Sequence, residues 1–105
     1  MDVEHLFQQA SQAHRQGDLP QAEQLYRQVL AQAPNHADGH HLLGLVCSQQ
    51  GRHAEAVQHI QQAIHINEGN AVYQHNLGEA WRRQERLVEA YLTSPIPTPS
   101  PPSSR

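Results

Sequence analysis

An offset of about 34 residues lays this chain on itself, and that period constrains the fold more than any single segment does. Gly17 falls on Gly51, Ala22 on Ala56 and Ala90, Tyr26 on Ile60, Leu30 on Ile64, and Gly44 on Gly78; the pair Leu43-Gly44 returns as Leu77-Gly78. A period of this size describes a unit that cannot bury its apolar face alone and must stack on copies of itself.

Each copy reads as two short amphipathic helices around a tight turn. Val3, Leu6, Ala10 and Ala13 follow three- and four-residue steps, which put them on one helical stripe. Gln16-Gly17-Asp18 breaks the pattern: Gly17 can close the first helix at positive φ, and Asp18 caps the next with Gln21 three residues on. Pro20 sits in the first turn, where its missing N–H does no harm. Leu19, Ala22, Leu25, Tyr26, Val29 and Leu30 form the second apolar face, and Ala33-Pro34-Asn35 ends it. The second copy repeats the plan with Leu42, Leu43, Val46 and Cys47, a break at Gly51, then Ala54, Val57, Ile60, Ala63, Ile64 and Ile66, leaving through Glu-Gly-Asn. Ala10, Gly44 and Gly78 recur where paired helices would cross, and Ala22, Ala56 and Ala90 would face them. Small residues there let backbones approach, so the reading predicts close crossings at all three places.

These residues resemble the tetratricopeptide repeat family, whose pattern W-x2-L-G-x2-Y, A-x3-F and P stands here as His40-x2-Leu43-Gly44-x2-Cys47 with Ala56-x3-Ile60, and as Gln74-x2-Leu77-Gly78-x2-Trp81. The first copy supplies Ala22-x3-Tyr26 and Pro34, with Leu6, Gln9 and Ala10 in place of the Trp and Leu-Gly; Glu68 replaces the terminal Pro and Glu85 the turn Gly. The fold expected is an all-α helix-turn-helix solenoid of about two and a half repeats: 3–36, 37–70 and a truncated 71–92 within a domain 1–92, followed by a disordered Pro-rich tail 93–105. The stretches Asn76-Leu77-Gly78-Glu79-Ala80 and HADGHHLLGLVCSQQGRHAEA are similar to the repeats that precede the catalytic region in bacterial O-linked N-acetylglucosamine transferase-like proteins. Of the asparagine ladder in those arrays only Asn76 is present, with Gln8 and Leu42 in the other copies.

The third copy stops short. By the offset its second helix would begin near Leu87, after a turn at Glu85, and would carry apolar residues at 94, 97 and 98; the chain has Ser94, Pro97 and Thr98. Pro95 removes a helical hydrogen bond and pushes Ser94 away from the α region. Two readings follow: a chain cut or frame-shifted out of a longer array, which the cost of an uncapped solenoid end favours, or a genuine tail lying over that end. Pro99-x-x-Pro102 has the spacing of an SH3-type ligand, and a passive PPII-like end is the simpler expectation.

Composition narrows the chemistry. The chain has no Lys, fifteen Gln and nine His, and a net charge of −3 with neutral His, which gives no basic excess to hold a nucleic acid or an anionic membrane. Protonating the histidines would turn the net charge positive. The start has two acids and no apolar run, no segment could span a bilayer, and the lone Cys47 cannot form an internal disulfide, so the cytoplasm is the expected compartment.

The sequence has no Gly-rich phosphate loop, H-E-x-x-H, paired Cys or nucleophile elbow, so no catalytic residue, cofactor or metal site is assigned. Cys47 reads as a small core residue, and the nine His as solvated surface, with His36 and His40 alone at helical spacing. Arg82, Arg83 and Arg86 form the one basic cluster, a solvated helix end or an anchor for an acidic peptide group. The family resemblance implies peptide or protein binding on a concave face lined by the first helix of each pair. On this chain the residues assigned to it are Phe7, Ser11, His14 and Arg15, then His41, Leu45, Ser48 and Gln49, then His75, Asn76, Glu79, Arg82 and Arg83. The carboxylate clamp of chaperone-binding relatives is absent, its places holding Phe7, Ser11, Leu42, Val72 and Asn76. The expected function is a non-catalytic interaction scaffold that self-associates through its uncapped third repeat. The alternatives are a substrate-recognition fragment of a larger glycosyltransferase-like protein and a His-rich metal- or pH-responsive protein.

Overall fold

The computed structural model describes residues 2–93, apart from the side chains of Ala90, Tyr91 and Thr93; the expected Pro-rich tail lies almost wholly outside the described residues. Among the described residues five helices follow one another: α1 (Val3–Arg15), α2 (Leu19–Gln32), α3 (Ala37–Gln49), α4 (His53–Ile66) and α5 (Ala71–Thr93). None of them is long and apolar enough to cross a membrane.

Local chemistry sets the boundaries. Asp2 caps α1 by accepting from the His5 amide at 2.8 Å, and Asp18 caps α2 by accepting from Gln21 at 3.3 Å. His36 does the same for α3 through Nδ1, 2.9 Å from the Gly39 amide, and Asn70 opens α5 by accepting from Val72 and Tyr73. The turns inside the first two pairs place Gly17 at φ 83° and Gly51 at φ 88°, where a Cβ would be strained.

The helices stack in chain order, α1 on α2, α2 on α3, α3 on α4 and α4 on α5. Between them Ala10, Ala22, Tyr26, Val29, Leu43, Val46, Cys47, Ala56, Ile60 and Ala63 are fully buried. Burying a side chain such as Leu43 or Ile60 contributes about 1.5–3 kcal/mol, which is how short helices of modest propensity hold together. At Gly44 the α3–α4 crossing is tight: a Cβ there would lie 2.8 Å from Ile60 Cγ1 and 3.0 Å from the Ala56 carbonyl oxygen.

The third copy departs from the pattern carried over from the first two. No turn interrupts it at Glu85, and α5 runs unbroken for 23 residues. The physical reason is local. Arg82-Arg83-Gln84-Glu85-Arg86 are all good helix formers, and without a glycine nothing lets the chain reverse. Gly78 therefore meets no partner helix; a Cβ on it would approach only the Arg82 guanidinium, at 3.9 Å. Trp81, Leu87, Val88 and Leu92 of α5 stay exposed, from 49% to 73%.

Candidate functional site

Among the described residues, the first helices of successive copies, α1, α3 and α5, are tied by four side-chain hydrogen bonds, each between residues 35 apart. His14 Nε2 donates to Gln49 Oε1 at 2.7 Å; the Tyr73 hydroxyl donates to Asp38; the Asn76 amide donates to His41 Nε2 at 2.7 Å; Arg83 Nη1 donates to Ser48 Oγ at 3.3 Å. A separation one greater than the repeat means that neighbouring first helices are staggered by about one residue, ~1.5 Å along the axis. The stagger sets a row of polar rungs along the face that these helices share.

Six of the assigned residues converge around one recess of about 220 Å³: Leu45, Ser48 and Gln49 from α3, and Asn76, Glu79 and Arg83 from α5, with Ile60 and Ala80 completing its lining. Arg83 is exposed, and its bond to Ser48 uses one of five guanidinium N–H groups. Glu79 pairs with Arg82 at 2.9 Å, and this hydrogen bond holds its carboxyl below the usual value of 4.5; His75 stands 3.9 Å away.

His41 was assigned to the open face, yet it is only 6% exposed. It lies beneath the rungs, its ring 4.7 Å from that of Tyr73 and its Nε2 held by Asn76. Burial pushes its pKa below the ordinary 6.5, against a smaller opposing pull from Asp38. Apart from His14, the α1 residues form a separate group. Phe7 turns onto the rings of Tyr26 (5.9 Å) and His36 (4.8 Å), Ser11 meets the Tyr26 hydroxyl at 3.4 Å, and Arg15 points to solvent.

On the side where α2 and α4 meet, Glu23, Arg27, Glu55 and Arg52 close a ring of ion pairs with N···O distances of 2.6–3.0 Å. Burial pushes the Glu23 carboxyl up, but hydrogen bonds from Arg27 and Arg52 outweigh it and leave the pKa below 4.5. Next to this ring the structure gathers a group that the sequence had divided between core and surface: Cys47, Glu55 and His59 bring one ligating atom each to within 4.8 Å of one another. The spacing of Glu55 and His59 is helical, but Cys47 lies on α3, so only the packing of the α3–α4 pair joins them. Burial pushes the Cys47 thiol up to about 11, so it is protonated at neutral pH and is not a nucleophile there.

A family model described as tetratricopeptide repeat matches residues 7–71. Among solved structures, the chain is similar to an O-GlcNAc transferase mutant (K341M) from Thermobaculum terrenum, with 32% identity and a TM-score of 0.72, over 74% of this chain and 15% of that one. It also resembles the crystal structure of MamA, with a TM-score of 0.76 at 21% identity, over 80% of this chain and 49% of that one, a likeness of fold alone. The chain thus spans less than half the length of either protein. No curated protein matches it.

Proposed function

Because the chain belongs to the tetratricopeptide repeat family, we propose that it is a non-catalytic scaffold that holds an extended peptide or protein segment in the recess between α3 and α5. The observation that carries this is the recess itself: Leu45 offers apolar contact, Gln49 and Asn76 offer amides, and Arg83 keeps donors to spare for a carbonyl or carboxylate. An extended peptide has unpaired backbone groups along its length and needs both kinds of partner.

Selection of peptides from a random display library on the full chain, followed by calorimetry on the best binder, tests this. Arg83→Ala and Leu45→Arg should each weaken binding at least tenfold, and Arg15→Ala should not. Binders that ignore both recess variants would overturn the reading.

A second reading rests on the similarity to the transferase: the repeats serve as the substrate-recognition part of a longer glycosyltransferase-like protein. Sequencing the gene past the Leu92 codon in all three frames decides it, since that reading requires the array and a catalytic region to resume. The exposed apolar side of α5 supports self-association or cover by a further repeat. The absence of a basic excess supports a protein rather than a nucleic-acid partner, and the cytoplasm is the compartment that fits a lone thiol.

A further inference from the structure

We propose that Cys47, Glu55 and His59 form a zinc-binding site that pins α3 to α4. Their ligating atoms already lie within 4.8 Å of one another, so small side-chain rotations bring sulfur, imidazole nitrogen and carboxylate oxygen around one ion. A thiolate and an imidazole select a borderline-soft ion over magnesium or calcium, which take oxygen ligands. Three protein ligands leave a fourth position for water on the side where Glu55 and His59 are partly exposed, which is also the route of entry.

The surroundings favour this over a plain core cysteine. Cys47 occupies the position that Trp81 holds one period later, and its small side chain leaves room for Glu55 and His59 to approach. The His59 ring has no hydrogen bond among the described residues. Beside it, stacked with centroids 6.0 Å apart, is the ring of His40, whose Nδ1 is the one buried side-chain nitrogen or oxygen without a hydrogen-bond partner among those residues. A polar cluster thus sits beside a buried nitrogen that lacks a partner, where a packing-only role would leave the surroundings apolar or fully bonded.

The charges around it also allow the ion. Glu55 accepts from Arg27 at 2.9 Å and from Arg52 at 3.0 Å, but each arginine holds Glu23 as well, at 2.8 and 2.6 Å. Turning one Glu55 oxygen toward zinc therefore leaves neither guanidinium unpaired. Binding exchanges the thiol proton of Cys47 for the ion and releases that proton to solvent, so the sulfur enters as thiolate.

The full chain, stripped with a chelator, is titrated at neutral pH with Zn2+ by calorimetry and with Co2+ by absorption. One equivalent should bind, raise the melting temperature, and give a near-ultraviolet sulfur-to-cobalt charge-transfer band. Cys47→Ala should abolish the band, and His59→Gln should weaken Zn2+ binding at least tenfold, while His65→Gln and His75→Gln, exposed histidines outside the cluster, should change nothing. If Cys47→Ala fails to fold, His59→Gln decides alone, since that side chain is only half-buried. Absence of the charge-transfer band in the parent chain, or Zn2+ binding that follows His65 or His75 and ignores His59, would overturn the proposal.

Discussion

The Asn76 amide donates to Nε2 of His41 across 2.7 Å, joining α5 to α3. Because an amide nitrogen can only donate, the imidazole must accept, so His41 is neutral and carries its proton on Nδ1. This rung rests on a buried ring, unlike the exposed bond between His14 and Gln49. Removing its donor strands a buried acceptor, which costs about 1–3 kcal/mol. Asn76→Ala should therefore lower stability in urea by that amount, and Gln49→Ala, at the exposed rung, by no more than about 0.5 kcal/mol. Equal effects of the two would mean that the His41 bond does not form.

The same ring gives the fold a pH dependence whose sign is fixed. His41 and His59 are both held below the ordinary 6.5, His41 by burial and His59 by burial together with Arg27 and His40. Well above pH 6.5 both are neutral whether the chain is folded or not, and stability is full. As pH falls below 6.5 the unfolded chain takes up protons first, so stability drops until the folded-state values are passed. Around His41 the facing groups are Asp38, Tyr73 and Asn76; only Asp38 favours its protonation, and burial outweighs it. Melting temperatures measured from pH 7.5 to 5 should decline, and His41→Gln should flatten part of that slope. A melting temperature rising toward pH 5 would contradict the assignment.

Gly44 and Gly78 occupy equivalent places one period apart and should respond in opposite directions. At Gly44 a Cβ would sit 2.8 Å from Ile60 Cγ1 and 3.0 Å from the Ala56 carbonyl, and the backbone oxygen cannot retreat without moving α4. Gly44→Ala should cost about 1–3 kcal/mol, the usual penalty for overpacking a core. At Gly78 nothing but the tip of Arg82 comes near, so Gly78→Ala should stabilise by about 0.5–1 kcal/mol through helix propensity alone. Chemical denaturation of the two variants side by side checks both signs.

That contrast also shows what could be read before the structure. The period, the breaks at Gly17 and Gly51 and the stripe from Leu6 to Ala63 follow from patterns a single helix pair imposes on its own sequence, and they reappear in α1 to α4. The third copy misled because the offset carried a turn onto Glu85, whereas a helix ends for local reasons, and Arg82 to Arg86 supply none. Leu45, Ser48, Asn76 and Arg83 come together around one recess because repeat position sets which side of a helix a residue takes. The burial of His41 was not legible, since it depends on the stagger between α3 and α5. Nor was the meeting of Cys47 with Glu55 and His59, which belongs to the packing of two helices rather than to the spacing along either.

The unbroken α5 leaves Trp81, Leu87, Val88 and Leu92 exposed, with Trp81 and Val88 beside a shallow surface depression. In a stacked array that side would be covered by the next helix, and each such residue left in water forgoes about 1.5–3 kcal/mol of burial. A second copy of the chain offers the same surface and satisfies both at once, so the monomer should dimerise as its concentration rises. Static light scattering over a wide concentration range should show the mass moving toward twice the monomer. Trp81 emission should shift to shorter wavelength in parallel, because the indole leaves water. Trp81→Gln together with Val88→Gln should hold the chain monomeric without unfolding it, since neither side chain belongs to the buried core. A mass that stays monomeric at the highest concentration, with Trp81 emission constant, would show that the outer side of α5 does not pair with itself.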